Sequence, residues 1–250
     1  VYGMSSLHLE IMISRLKNRF KVECTSTIPK IPYRETIVGK AESRYRHKKQ
    51  SGGHGQFGEV AIKIEPADRS IDLDFVDQIV GGVVPSQFVV STHKGIQGAM
   101  SKGIIAGYPV VGVRVMLFDG KTHEVDSSDA AFQIAGSKAF QEAFANAKPV
   151  LLEPIQNIEI SVPSKYMGDI MGDLNSRRGR IMGSDSDGGY QIIKAQVPLA
   201  EIMNYSTELK SITGGEGTYS ISFSHYDVVP PHVQEKIVAR ARDEKEKEKK

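Results

Sequence analysis

Two copies of one pattern, set 35 residues apart, constrain the second half of this 250-residue chain more than any other feature. Shifted by that distance, Val162-Pro163 falls on Val197-Pro198, Leu174 on Leu209, Ser176 on Ser211 and Gly179 on Gly214. Each copy reads as a strand, a proline at a helix start, a helix, a glycine stop and a strand. In the first copy Ile158, Ile160 and Val162 alternate along a strand, and Met167, Ile170, Met171 and Leu174 form a helical stripe. Two strand–helix–strand units of this length predict a βαββαβ sandwich of the ferredoxin-like kind. Two copies are too few for a solenoid.

Upstream the periodicities are more varied. Leu9, Met12, Ile13, Leu16 and Phe20 recur at spacings of three and four, predicting an amphipathic helix over residues 5–20. Lys21 to Thr25 then reads as a strand that would bury Cys24 as an inert thiol. One helix and one strand cannot cover that apolar stripe, so this segment reads as part of a larger domain. Pro29 and Pro32 mark the joint to a block ending near Pro149. In that block Val60, Ile62 and Ile64 alternate as a strand, residues 86–102 suit a helix leading to Gly103, and Val110 to Leu117 reads as a strand. Asp119-Gly120 is the signal for a turn over Phe118 to Lys121. A helix follows over 127–147, with Ser127 or Ser128 as its cap. Arg240 to Lys250 mixes charges of both signs, as a solvated helix end or disordered tail does.

Composition limits the function classes. A chain that is 40% apolar and 25% charged is an ordinary globular one, long enough for two domains. One cysteine excludes an internal disulfide framework and suits a reducing compartment. No apolar run nears the ~20 residues of a membrane span and no signal peptide opens the chain, which fits a cytoplasmic protein. Nothing suggests more than a monomer. Opening on Val1 rather than Met hints at sequence removed upstream. Net charge is only +2, so any affinity for nucleic acid must reside in local clusters.

One such cluster exists. Arg44, Arg46, His47, Lys48 and Lys49 precede the run Ser51 to Gly58, which holds Gly52, Gly53, Gly55 and Gly58 around His54, Gln56 and Phe57. Glycines let a backbone approach another surface closely, and adjacent cations suit a phosphate backbone. Contact with RNA and an ordinary tight hairpin both account for the pattern. A nucleotide cradle does not, because neither G-x-x-x-x-G-K-[ST] nor a strand-to-helix G-x-G-x-x-G occurs. Glu124, Asp126 and Asp129 beside His123 match no calcium-loop spacing and read as a helix start rather than a metal site. No catalytic triad can be assembled, so no catalytic residue is assigned. Arg177, Arg178 and Arg180 flank a helix end, where cations are favoured electrostatically and could also meet RNA.

The ordered motifs resemble the C-terminal part of bacterial elongation factor G, in particular its elongation-factor-G-like paralogues. The residues carrying this resemblance begin with Gly3-Met4, Leu7-His8-Leu9-Glu10, Tyr33-Arg34-Glu35-Thr36 and Gly52 to Gly58. Gly81-Gly82-Val83-Val84-Pro85, His123 to Ser128 and Leu152-Glu153-Pro154 follow. Tyr166 to Asp169, Gly172 to Asn175, Arg177-Arg178-Gly179 and Val197 to Glu201 complete the set. The resemblance implies an α+β chain in three parts. Residues 1–28 would end a ferredoxin-like domain III. Residues 29–149 would be domain IV, ribosomal protein S5-like with a left-handed βαβ crossover. Residues 150–250 would be the ferredoxin-like domain V with its charged tail.

The family further implies a role in translocation of tRNA and mRNA on the ribosome. Two loops at the tip of domain IV would reach the decoding region of the small subunit, here Gly52 to Gly58 and Asp119 to Glu124. His123 aligns with the family's tip histidine, and Lys121 and Thr122 replace its usual neighbours. His54 stands where arginine is common, and Ser5-Ser6 depart from a Gly-Glu pair. These departures fit a paralogue, with ribosome recycling or a specialised role as the alternative. A stand-alone RNA-binding module without a GTPase is a further alternative. Arg177, Arg178 and Arg180 would face large-subunit RNA. GTP and magnesium would belong to a GTPase domain outside this chain, so the chain itself is expected to hold no cofactor.

Overall fold

The computed structural model describes residues 6–24, 29–49 and 55–247. It is mixed α+β, and its residues divide into two compact units. One holds Pro32–Glu153 and Asp227–Lys250, and the other holds Val1–Ile31 and Pro154–Tyr226. The division falls within a strand, and the C-terminal helix groups with the earlier block.

In chain order the elements are α1 (Ser6–Phe20), β1 (Arg34–Ile37), β2 (Ala41–Lys49), β3 (Gln56–Pro66), β4 (Leu73–Asp77), α2 (Ser86–Lys102), β5 (Val113–Lys121) and α3 (Asp129–Asn146). Then follow β6 (Pro149–Pro163), α4 (Met167–Ser176), β7 (Arg180–Asp187), β8 (Tyr190–Pro198), α5 (Tyr205–Ile212), β9 (Thr218–Val228) and α6 (Pro231–Lys247). Helix α1 carries the first four members of the expected stripe, with Leu9, Met12, Ile13 and Leu16 half-buried, but Phe20 at its end is exposed. Residues 21–24 form no strand, and Cys24 is exposed rather than buried. Lys21 is left-handed (φ 57°), and Val22 donates its N–H back to the Leu16 carbonyl at 3.3 Å. That closure turns the chain out of the helix instead of extending it as a strand.

In the first unit the sheet order is β2-β3-β5-β4, with β4 parallel to β5 and the other pairs antiparallel. Helices α2 and α3 cover one face. Val60, Ile62, Ile64, Val113, Val115 and Leu117 meet Phe132, Phe140 and Phe144 in one continuous core. The two helices cross closely because glycines line the crossing. A Cβ on Gly95 would lie 2.1 Å from the Gln133 carbonyl oxygen, and one on Gly136 would lie 2.7 Å from that of Thr92.

The expected turn at Asp119-Gly120 is instead part of β5, which starts at Val113 rather than Val110 and runs on to Lys121. The register shifts between Ala61 and Ile62, which pair with Asp119 and Leu117, so Phe118 is the extra residue of a bulge. A Cβ on Gly120 would sit 2.5 Å from the Glu59 carbonyl oxygen, so the glycine serves close approach rather than a reversal.

Glu35 is fully buried, and its carboxylate accepts five backbone N–H groups at 2.6–3.1 Å, from Ile104, Ile105, Ala106, Gly107 and Tyr108. This nest shapes the loop between α2 and β5. Nearby, Val233, Ile237, Val238 and Ala241 of α6 pack on Ala106, Leu151 and Val229. The Gln234 side-chain oxygen accepts the Leu151 N–H at 2.8 Å. The mixed-charge segment as far as Lys247 therefore continues a packed helix, with Arg240, Arg242 and Asp243 exposed.

In the second unit the two repeat copies give β6-α4-β7 and β8-α5-β9. The spatial order is β7-β8-β6-β9, the ferredoxin-like order. Val162 and Val197 are both fully buried, as are Leu174 and Leu209 to within 1%. Gly188 (φ 56°) and Gly189 (φ 89°) make the two-residue hairpin between β7 and β8.

Replacing Glu35 with Leu leaves five N–H groups without their acceptor and is expected to cost about 3 kcal/mol. Glu35→Gln, which keeps one carbonyl oxygen, should cost clearly less. Urea denaturation of the three proteins measures both, and equal stability of parent and Leu variant would show that the nest adds nothing.

Candidate nucleic-acid interface

Strand directions decide which loops meet. Because β4 runs parallel to β5 and β3 antiparallel to it, three features share one end of the sheet. They are the loop end of the β2–β3 hairpin at Lys49 and Gln56, the segment from Gln78 to Pro85, and the segment from Thr122 to Ser128. The N-termini of α2 and α3 lie at that end too, next to Gly120 and Phe57, and their dipoles favour anions there. Helix α3 is capped by Ser128, whose hydroxyl accepts the Ala131 N–H. The resemblance pointed to two of these loops; the third is evident only from the parallel pairing.

The hairpin end and the 122–128 loop are joined. Phe57 donates its N–H to the Asp126 carbonyl at 2.8 Å, and Gly55 donates to the Asp126 carboxylate at 3.1 Å. The Phe57 ring lies 6.0 Å from the His123 ring, tilted by 50°. His123 is half-exposed and is held from behind: its backbone N–H donates to the Ser127 hydroxyl at 2.8 Å. The N–H groups of Val125 and Asp126 both donate to its Nδ1, at 3.3 Å each. Two donors converging on Nδ1 make it the acceptor, so the ring proton resides on Nε2 and that nitrogen is the donor.

Gly58 is buried, and a Cβ there would lie 3.1 Å from the Ala131 backbone, so it seats the strand on α3. The Gln56 side-chain oxygen lies 2.9 Å from His47 Nε2. Lys121 and Thr122 are exposed. Gly52, Gly53 and His54 lie outside the described residues.

The basic strand divides into two sets. Arg44 bonds Glu59 at 2.9 Å and also Asp119, and Arg46 bonds the other oxygen of Glu59. Glu59 is almost completely buried. Burial by itself would raise its carboxyl, but hydrogen bonds from Arg46 and Arg44 outweigh that and hold it below the usual carboxylate range. Asp119 is likewise held low, by Arg44 first and then by the Gly120 N–H. Lys48, Lys49 and Lys121 are exposed and make no direct ion pair among the described residues, while Lys121 adds a longer-range attraction that helps hold Glu59 and Asp119 low. Glu59 and Asp119 were not legible as partners, because the bulge that brings Asp119 to Arg44 has no sequence signature beyond an Asp-Gly that also marks turns.

Two of the three arginines singled out in the other unit are held by its own side chains. Arg177 bonds both oxygens of Asp173 at 2.9 Å and the Glu201 carbonyl at 2.9 Å, forms an ion pair with Glu208 without a hydrogen bond, and lies 5.3 Å from the centre of the Tyr205 ring. Burial pushes the Tyr205 hydroxyl up. Arg178 pairs with Glu201 at 3.0 Å. These two clamp the repeat copies together, and Arg180 is exposed on β7.

Known protein families match the chain in two consecutive blocks. Residues 29–148 match the family model for elongation factor G, domain IV, and residues 150–237 match that for the elongation factor G C-terminus. The chain belongs to the elongation factor G family. It is 52% identical over 238 residues to elongation factor G of Aquifex pyrophilus, covering 95% of this chain and 34% of that protein. It is 51% identical over 251 aligned positions to an elongation factor G-like protein of Thermotoga maritima, covering all of this chain and 37% of that protein. A crystal structure of a Thermus thermophilus protein superimposes with a TM-score of 0.84 at 45% identity, over 97% of this chain and 36% of that one. The chain thus spans about a third of the length of these relatives and corresponds to the C-terminal region of a translation elongation factor. No helix among the described residues is long and apolar enough to cross a membrane.

The depressed carboxyls give the domain IV region an acid-sensitive element. A carboxyl whose folded pKa is lowered stabilises the fold above its unfolded value, and that contribution is lost as pH falls through the folded value. Glu59→Gln is therefore expected to lower stability at neutral pH by about 2 kcal/mol and to flatten the decline below about pH 4. Denaturant titrations between neutral and acid pH test this; parallel curves for parent and variant would remove Glu59 from the acid response.

Proposed function

We propose that this chain is the ribosome-contacting part of a translational GTPase, acting in tRNA–mRNA translocation through the tip of its domain IV. The observation that carries the reading is the tip itself. His123 is fixed from behind, which leaves Nε2–H as the donor of a half-exposed ring. Lys48, Lys49 and Lys121, exposed and without direct ion pairs among the described residues, lie at or near the same end. Such an end suits the phosphates and base edges of an RNA duplex, where short polar groups and lysines can enter together. In this reading Gly52, Gly53 and His54 contact the same partner, and Gly55 and Gln56 follow them at the start of β3. Arg44 and Arg46 act in this reading as supports, since Glu59 and Asp119 already engage them. Arg180, exposed on β7, is the arginine of its cluster assigned to large-subunit RNA.

GTP and magnesium belong in this reading to a preceding domain, and the chain works as a monomeric arm in the cytoplasm. The near-equal identity to an elongation factor G and to an elongation factor G-like protein favours neither general translocation nor a specialised role, including recycling, over the other.

In a complete factor carrying this C-terminal region, His123→Ala is expected to leave folding intact and to slow translocation about tenfold, the effect of one lost hydrogen bond in the limiting state. An unchanged single-turnover rate would make His123 a surface residue only. Replacing Lys48 and Lys49 together with Ala should weaken ribosome binding and make log affinity fall less steeply with log salt, by up to about two phosphate contacts. Identical slopes would remove the pair from the interface. The isolated chain should bind no GTP; saturable binding of a labelled analogue would overturn the division of labour.

A further inference from the structure

The geometry points to Asp126 as the positioning residue that couples Gly55 and Phe57, where β3 begins, to His123, so that these two segments present to RNA as one body. The inference rests on the reading of this tip as the duplex-contacting end. Asp126 engages both sides. Its carboxylate Oδ1 accepts the Gly55 N–H at 3.1 Å and its carbonyl accepts the Phe57 N–H at 2.8 Å. On the other side its own N–H donates to His123 Nδ1 at 3.3 Å.

The fit at Gly55 is close. A Cβ there would stand 2.8–2.9 Å from all three carboxyl atoms of Asp126, so only glycine leaves the carboxylate its place. Asp126 is itself less exposed than His123, at 27% against 54% for the side chains. It therefore touches the loops rather than the partner. Deleting the carboxylate removes the sole side-chain link to Gly55 among the described residues, while leaving the His123 imidazole chemically intact.

Two variants approach the link from opposite sides. Asp126→Ala removes the acceptor, and Gly55→Ala displaces it while keeping the carboxylate. In the isolated chain, the Gly55 amide is expected to exchange with solvent about tenfold faster in Asp126→Ala than in the parent, with protection recovered in Asp126→Asn, whose side-chain oxygen still accepts. In both alanine variants the imidazole nitrogen signals of His123 should leave the single Nε2–H pattern for the averaged pattern of a free side chain. Folded variants in which the His123 signals and the exchange rate stay at parent values would overturn the proposal.

In the complete factor, Asp126→Ala should slow translocation by about the same factor as His123→Ala, and the double variant should be no slower than either, because both remove one unit. Multiplicative rates would show independent roles and overturn the coupling. If His123→Ala leaves translocation unchanged while the signals still move in the alanine variants, the positioning role stands and the functional reading of the tip fails.

Discussion

The pairing of β3 with β5 is the constraint on which the functional end depends. Because Phe118 is bulged out, Asp119 lies opposite Ala61, and Ala61 in turn lies opposite Arg44. A register one residue away would carry Asp119 to the other face of the sheet, where the helices pack. Gly120 meanwhile lies against the Glu59 carbonyl, an approach that only glycine tolerates. Strand β5 can then reach Lys121 before the chain turns, and the following loop folds onto the end of the β2–β3 hairpin. A bulge is a common means of re-aiming side chains near a site, and here it aims a whole loop.

Electrostatics reinforces that arrangement. A nearly buried carboxylate is costly without partners, and Glu59 has two guanidinium groups, each on one oxygen. Strand β2 is thereby tied across β3 to β5 through Arg44. The consequence for function is a sorting of charge by position along the strand. Arg44 and Arg46 pair with Ala61 and Glu59 and hold strands together, whereas Lys48 and Lys49 pair with Phe57 and Gln56, beyond reach of that carboxylate. A basic run read as one patch is thus two sets with different tasks.

Glu35 shows the same physics in a structural role. Its carboxylate replaces water for five consecutive N–H groups that would otherwise lack an acceptor. The loop it organises forms the surface on which α6 packs, through Ala106. The C-terminal helix is therefore held by a residue near the start of the first unit, and the earlier block, rather than the repeat, is its packing partner.

How much of this could be read beforehand follows from the range of each interaction. The repeat of 35 residues determined the βαββαβ unit, because buried valines and leucines must recur wherever two equivalent strands and helices share one core. Helix α2 at residues 86–102 and the cap of α3 were legible too, since periodicity and capping act within a few residues. Where local signals conflicted with distant ones, the distant ones won. Asp119-Gly120 has turn chemistry, but its pairing with β3 keeps it extended; Cys24 has strand-like neighbours, but nothing pairs with them among the described residues. The candidate site divides in the same way: His123, Gly55 and the lysines were visible as residue types near glycines and charge. Their junction through Asp126, the neutralisation of Arg44 and Arg46 by Glu59, and the inward clamp of Arg177 and Arg178 join residues brought together only by folding. Such contacts depend on strand register and direction, and only the tertiary structure decides those.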